Sequence, residues 1–161
     1  MVLTPIQEDY LELIFRLSQE SDHPVRITDL ASHLLCKMPT VTRTIKILAD
    51  AGYVVHEKRG DIQLTKRGEK VASQVVHRHD DIEDFLTQVL CLDATTASAD
   101  TCKIEHGFSP LSSERLHAFM MYFSQLTTEE KKRIQKAVVS LDSDTSNFDS
   151  ITSQNLNGWR H

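Results

Sequence analysis

Hydrophobic residues return at helical spacing along most of the chain, and the breaks between the stripes divide it into elements. Ile6, Tyr10, Leu13, Ile14 and Leu17 form one apolar stripe, with Asp9, Glu12 and Arg16 off it. This predicts an amphipathic first helix, opened by Thr4-Pro5 and ended near Pro24. Leu30, Ala31, Leu34 and Leu35 mark the inner face of a short second helix capped by Thr28. After a turn at Cys36-Lys37-Met38, a third helix is expected from Pro39 to Ala51, with Val41, Ile45 and Leu48 inward and Gly52 as its stop. From Tyr53 to Thr65 the period changes to alternation around a turn at Arg59-Gly60-Asp61. A two-stranded hairpin follows, with Val54, Ile62 and Leu64 toward the core.

The helical period resumes after Thr65, where Val71, Val75, Val76, Ile82, Phe85, Leu86 and Val89 carry one long helix to Leu90. Gly68 falls in its first turn, where it is expected to cost little. Cys91 to Asp100 reads as a linker or short turn, and a short fifth helix is expected from Cys102 to Gly107. A sixth runs from Ser112 to Leu126 on a stripe of Leu116, Phe119, Met120, Phe123 and Leu126. Another follows Thr127 or Thr128, with Glu129 and Glu130 in the first turn, where negative charge suits the helix dipole. After Leu141 the chain is dominated by Ser, Thr, Asp and Asn, so a largely disordered tail is expected. The predicted class is mainly α with a small β-hairpin wing. A winged helix-turn-helix DNA-binding domain would occupy residues 1–73, a helical dimerisation and metal-binding domain 74–141, and a polar tail 142–161. Phe119, Met120, Met121 and Phe123 are expected at a dimer interface rather than around a cofactor.

Charge changes the picture by its distribution. The chain of 161 residues carries a formal charge of −5, yet from Val25 to Lys70 nine Lys/Arg face five Asp/Glu, a net +4 that leaves −9 for the remainder. One part is suited to phosphate and the other to cations. In a helix-turn-helix the second helix enters the major groove, so Thr40, Thr42, Arg43 and Lys46 on the outer face of the third helix are candidate DNA contacts, with Lys37 just before them. Lys58 and Arg59 at the hairpin tip suit an adjacent groove or backbone, and Lys66 and Arg67 a phosphate near a helix start. Three cysteines without framework spacing fit a reducing compartment, and no apolar run is long enough to span a membrane. A cytoplasmic location is expected.

The acidic remainder holds the candidate chemistry. Cys102, Glu105 and His106 stand at i, i+3 and i+4, so an unbroken helix would aim a thiolate, a carboxylate and an imidazole at one spot. Asp9 and Glu12, three apart on the first helix, and His79 on the long helix could complete the set. Mixed sulfur, nitrogen and oxygen donors suit a divalent transition ion such as Fe(II), Mn(II), Co(II), Ni(II) or Zn(II). No nucleophile or oxyanion arrangement accompanies them, so an enzyme is not expected. The competing reading is a winged-helix regulator gated by an organic ligand or by thiol oxidation at Cys102.

Glu8-Asp9-Tyr10-Leu11-Glu12-Leu13-Ile14, His77-Arg78-His79 with Glu83-Asp84-Phe85-Leu86, and Cys102-x2-Glu105-His106 together resemble the signature of the diphtheria toxin repressor and manganese transport regulator family, in colinear order over residues 4 to 140. The resemblance implies that Asp9, Glu12, His79, Cys102, Glu105 and His106 form the effector site, with Glu83 joining His79 at an ancillary position. It further implies a homodimer that binds palindromic operator DNA when loaded with Mn(II) or Fe(II), represses metal-uptake genes and takes no organic substrate. Asp9 is similar to the manganese branch and Cys102 to the iron branch.

Overall fold

The computed structural model describes residues 3–20, 23–57 and 60–140; the expected tail and the hairpin-tip pair Lys58 and Arg59 lie outside the described residues. Contacts divide the chain into two compact units that meet between Arg78 and His79.

The first unit begins with α1 (Pro5–Glu20). Thr4 and Gln7 form a reciprocal cap at its start: Gln7 N–H donates to Thr4 Oγ1 at 3.3 Å, and Thr4 N–H to Gln7 Oε1 at 3.0 Å. Then come β1 (Val25–Arg26), α2 (Ile27–His33), α3 (Met38–Asp50), β2 (Val54–His56), β3 (Asp61–Leu64) and the start of α4 (Lys66–Asp84). The two expected strands are joined by a third. β1 pairs antiparallel with the far edge of β3 at Val25 opposite Ile62, so the sheet order is β1-β3-β2. A two-residue strand shows no alternation, which is why periodicity misses it. The cap of α2 also differs from the Thr28 expected, since Asp29 Oδ2 accepts from Arg26 N–H at 2.8 Å and moves the helix start upstream.

Leu11 and Ile14 of α1, Leu30 of α2, Val41, Ile45 and Leu48 of α3, and Val25, Val54 and Ile62 of the sheet build the core of this unit. The α3 face is the one the pattern predicts. In α1, however, Leu11 takes the inner position that Ile6 was expected to share, and Ile6 is exposed. Leu35 departs furthest. It lies beyond the end of α2 with φ 49° and is 94% exposed, so it marks the reversal into α3 instead of packing inside.

A knot of contacts fixes the base of the hairpin to α4. Thr65 Oγ1 donates to the Gly52 carbonyl at 2.8 Å and accepts from Gly68 N–H at 3.1 Å, which caps the helix. Arg67 lies over the Tyr53 ring at 4.3 Å from its centre and donates to the Tyr53 hydroxyl at 2.9 Å and the Ala51 carbonyl at 3.2 Å. Gly68 is therefore costly to replace: a Cβ there would land on the Tyr53 carbonyl oxygen.

The second unit holds the end of α4, a π-helical turn at Phe85–Val89, α5 (Ala94–Ile104), a 3-10 turn at Glu105–Gly107, α6 (Pro110–Gln125) and α7 (Thr128–Ser140). The expected linker from Cys91 to Asp100 is largely helix. Asp93 accepts from the N–H groups of Thr95 and Thr96, both at 3.1 Å, and so opens α5 eight residues before Cys102. Cores form around Ile82, Leu86 and Ala97 and around Val89, Met120 and Phe123. Met120 and Phe123 thus belong to the protomer's own interior, whereas Met121 and Tyr122 are exposed and only Phe119 and Met121 of the expected interface residues remain accessible. No helix among the described residues is long and apolar enough to cross a membrane.

Two outcomes test this architecture. Gly68→Ala, which in an open helix would stabilise by up to about 1 kcal/mol, is expected to cost about 2 kcal/mol through overpacking, read as a lower urea midpoint. The Asp93 carboxyl is held below the usual carboxylate range by the Thr96 hydroxyl and then by the helix N–H groups. A lowered folded value means the cap stabilises fully above the ordinary range and is lost as pH falls through that lowered value. Amide exchange at Thr95 and Thr96 is expected to quicken there and not at neutral pH.

Candidate metal centre and DNA-reading face

Burying Val41, Ile45 and Leu48 turns the opposite side of α3 outward, and Lys37, Thr40, Thr42, Arg43 and Lys46 are all exposed along it. The two threonines nearest its start are not equivalent as contacts. Thr42 Oγ1 donates back to the Met38 carbonyl at 2.9 Å, which leaves its oxygen to accept and its methyl to pack. Arg43 and Lys46 make no side-chain hydrogen bond or ion pair among the described residues, so their charge is available to phosphate or base edges. Lys66 and Arg67 are exposed at the start of α4, but Arg67 already spends its guanidinium on Tyr53 and Ala51. That engagement has no signal in the sequence. Behind this face the buried Tyr10 of α1 is hydrogen-bonded to Thr44 of α3, and burial pushes its phenol above the ordinary value. The residues beside Asp9 and beside Arg43 are thereby joined.

α1 also presents the acidic donors of the first unit. Asp9 and Glu12 are both half-buried, and Glu12 Oε1 accepts from Arg16 Nε at 2.9 Å, which balances part of its charge. A residue pair not singled out from sequence lies alongside: Arg78 Nη2 donates to Glu8 Oε2 at 2.6 Å, with both side chains largely enclosed. The two are 70 residues apart, and nothing in composition or spacing pairs them.

The second unit gathers the remaining donors. α5 gives way to a 3-10 turn after Ile104, which carries Glu105 inward to 2% exposure. Glu105 Oε2 lies 3.1 Å from His79 Nδ1, and Oε1 lies 3.6 Å from His106 Nε2. The other nitrogen of His79, Nε2, is 4.0 Å from Glu83 Oε2 one turn along α4, so this imidazole stands between two carboxylates. Cys102 was expected to share one spot with Glu105 and His106, but its residue is exposed. Glu105 keeps helical dihedrals and its N–H still bonds the Thr101 carbonyl, and the 3-10 turn begins only there.

These donors fit a divalent cation on chemical grounds. A carboxylate removed from water and contacted in its own unit by imidazoles, which are uncharged unless protonated, needs positive charge nearby. Oxygen and nitrogen donors without a buried thiolate suit the harder first-row ions.

Sequence profiles agree with both halves. Residues 2–62 match the profile described as the iron dependent repressor N-terminal DNA binding domain, and residues 65–133 that of its metal binding and dimerisation domain. The chain is 40% identical over 116 residues to a helix-turn-helix-type transcriptional regulator of Methanocaldococcus jannaschii, covering 72% of this chain and 93% of that one. It is 33% identical over 135 residues to the transcriptional regulator MntR of Bacillus subtilis, covering 83% and 94%. Among solved structures it is similar to the manganese regulator SloR, with 32% identity, a TM-score of 0.65 and coverage of 74% of this chain and 55% of that one. A manganese-dependent transcriptional repressor in complex with manganese gives 28% identity, a TM-score of 0.66 and coverage of 72% and 53%. The chain therefore spans about half the length of these solved relatives.

A winged helix-turn-helix joined to a helical unit with a buried carboxylate and imidazole cluster defines a metal-dependent DNA-binding regulator, not an enzyme. The chain belongs to the iron-dependent repressor family, the group of the diphtheria toxin repressor and the manganese transport regulator.

Arg43→Ala is expected to weaken binding to a selected DNA site by about 1–3 kcal/mol and relax preference at one base position. Lys46→Ala should weaken binding to all sequences alike and lower its salt dependence. Fluorescence anisotropy titrations at several salt concentrations read both effects.

Proposed function

We propose that this chain is a transcriptional repressor that senses Mn(II) or Fe(II), binds a palindromic operator as a homodimer and controls metal-uptake genes in the cytoplasm. The observation that carries the reading is Glu105, a buried carboxylate set between His79 and His106 in a segment matched by a metal-binding and dimerisation profile. Asp9, Glu12, His79, Glu105 and His106 would supply the effector ligands. Cys102 would complete that set, and Glu83 would join His79 at an ancillary position. Relatives described as manganese regulators support the choice of ion, as does a carboxylate-rich donor set with an exposed thiol.

The first unit offers a route by which occupancy reaches DNA. Asp9 and Glu12 lie on α1, where neighbouring Tyr10 is buried and bonded to Thr44 beside Arg43. Arg78, the residue before His79, is paired with Glu8, the residue before Asp9. A bound cation would favour the conformers of the dimer that fit one half-site spacing. Phe119, Met121 and Tyr122, exposed on α6, are the apolar residues we assign to the partner protomer.

Glu105→Ala or His106→Ala is expected to weaken Mn(II)-dependent operator binding by about tenfold or more while leaving the circular dichroism spectrum unchanged. Anisotropy of a palindromic promoter fragment titrated with protein, with and without Mn(II) and Fe(II), provides the test. Equal operator affinity of the wild-type chain in the presence and absence of metal contradicts the reading.

A further inference from the structure

Among the described residues, the polar or charged side chains that are fully buried are those of Thr101 and Glu105, at 0% and 2% exposure. They sit one helical turn apart at the end of α5, joined by the N–H of Glu105 donating to the Thr101 carbonyl. The hydroxyl of Thr101 has no hydrogen-bond partner. Within the described residues of the second unit it is the one buried side-chain polar atom in that condition. A helical threonine can satisfy its hydroxyl on the carbonyl four residues earlier, as Thr87 does on Glu83 at 2.8 Å. Thr101 does not, and a buried unpaired hydroxyl is a cost that needs a compensating use.

The chemistry of Glu105 supplies one. Its two oxygens face His79 Nδ1 and His106 Nε2. An imidazole nitrogen that ligates a cation presents its lone pair and cannot donate to a carboxylate. Once the imidazole nitrogens that face it at 3.1 and 3.6 Å are turned to a cation, Glu105 can take no proton from them, and its oxygen not directed at the cation needs another donor. We infer that the Thr101 hydroxyl is that donor: a positioning residue that holds one oxygen of Glu105 and thereby aims the other. The inference rests on the metal-sensing reading above. It concerns Thr101 alone, which carries no ligand atom of that site.

Isothermal titration of Mn(II) and of Co(II) into the full chain, with thermal melts of the metal-free protein, tests it. Thr101→Val keeps the shape and removes the hydroxyl. It is expected to weaken metal affinity about tenfold while the metal-free melting temperature stays the same or rises, because the unpaired hydroxyl is gone. Thr101→Ser should bind within about twofold of wild type, and Thr101→Ala, which makes no demand on branched packing, should share the loss seen for valine. A valine variant with wild-type affinity overturns the inference, and so does a serine variant as weak as valine. A wild-type chain that takes up neither ion overturns the metal-sensing reading itself, which is a different failure from unchanged affinity in the valine variant.

Discussion

A carboxylate with almost no surface in water has to be neutralised by whatever surrounds it, and Glu105 imposes that requirement on the second unit. The helix that carries it tightens into a 3-10 turn to bring it inward, and α4 brings His79 to one of its oxygens while His106 faces the other. An apolar side chain at this position would serve stability at least as well, since replacing buried ions with well-packed hydrophobes is often neutral or favourable. The charge is retained where it costs most, and the two imidazoles that meet it are groups that bind protons or metal ions interchangeably. The need of this buried carboxylate for positive charge and its affinity for a cation are then the same property.

Much of the fold was legible because it rests on periodicity. The α3 stripe of Val41, Ile45 and Leu48, the alternation at Val54 and Ile62, and the long run of α4 each repeat often enough to be read from the chain. The features that escaped are single events. β1 is two residues long, Leu35 takes a left-handed conformation without the glycine that announces it, and Gly68 is demanded by a carbonyl that approaches from across the hairpin. α5 was hidden by its composition, since small and β-branched residues form a helix there on the strength of the Asp93 cap and the burial of Ala97 and Thr101.

The site divides the same way. His79, Glu105 and Glu83 were named from their residue types and from a family likeness, and in the second unit they lie close to one another. Cys102 was placed with them from its helical spacing, and its exposure beside the buried Glu105 is a difference that residue type and spacing do not encode. The ion pair of Glu8 with Arg78 and the engagement of Arg67 by Tyr53 depend on tertiary approach alone, which no local pattern encodes.

The clamp between Tyr53, Thr65, Arg67 and Gly68 has a mechanical meaning. A hairpin anchored only by its two strands could swing on its base, but here both ends of the hairpin are stapled to the opening turn of α4 by a hydroxyl, a guanidinium and a backbone contact with no slack. The base of the wing and the opening turn of α4 must therefore tilt together, as one lever.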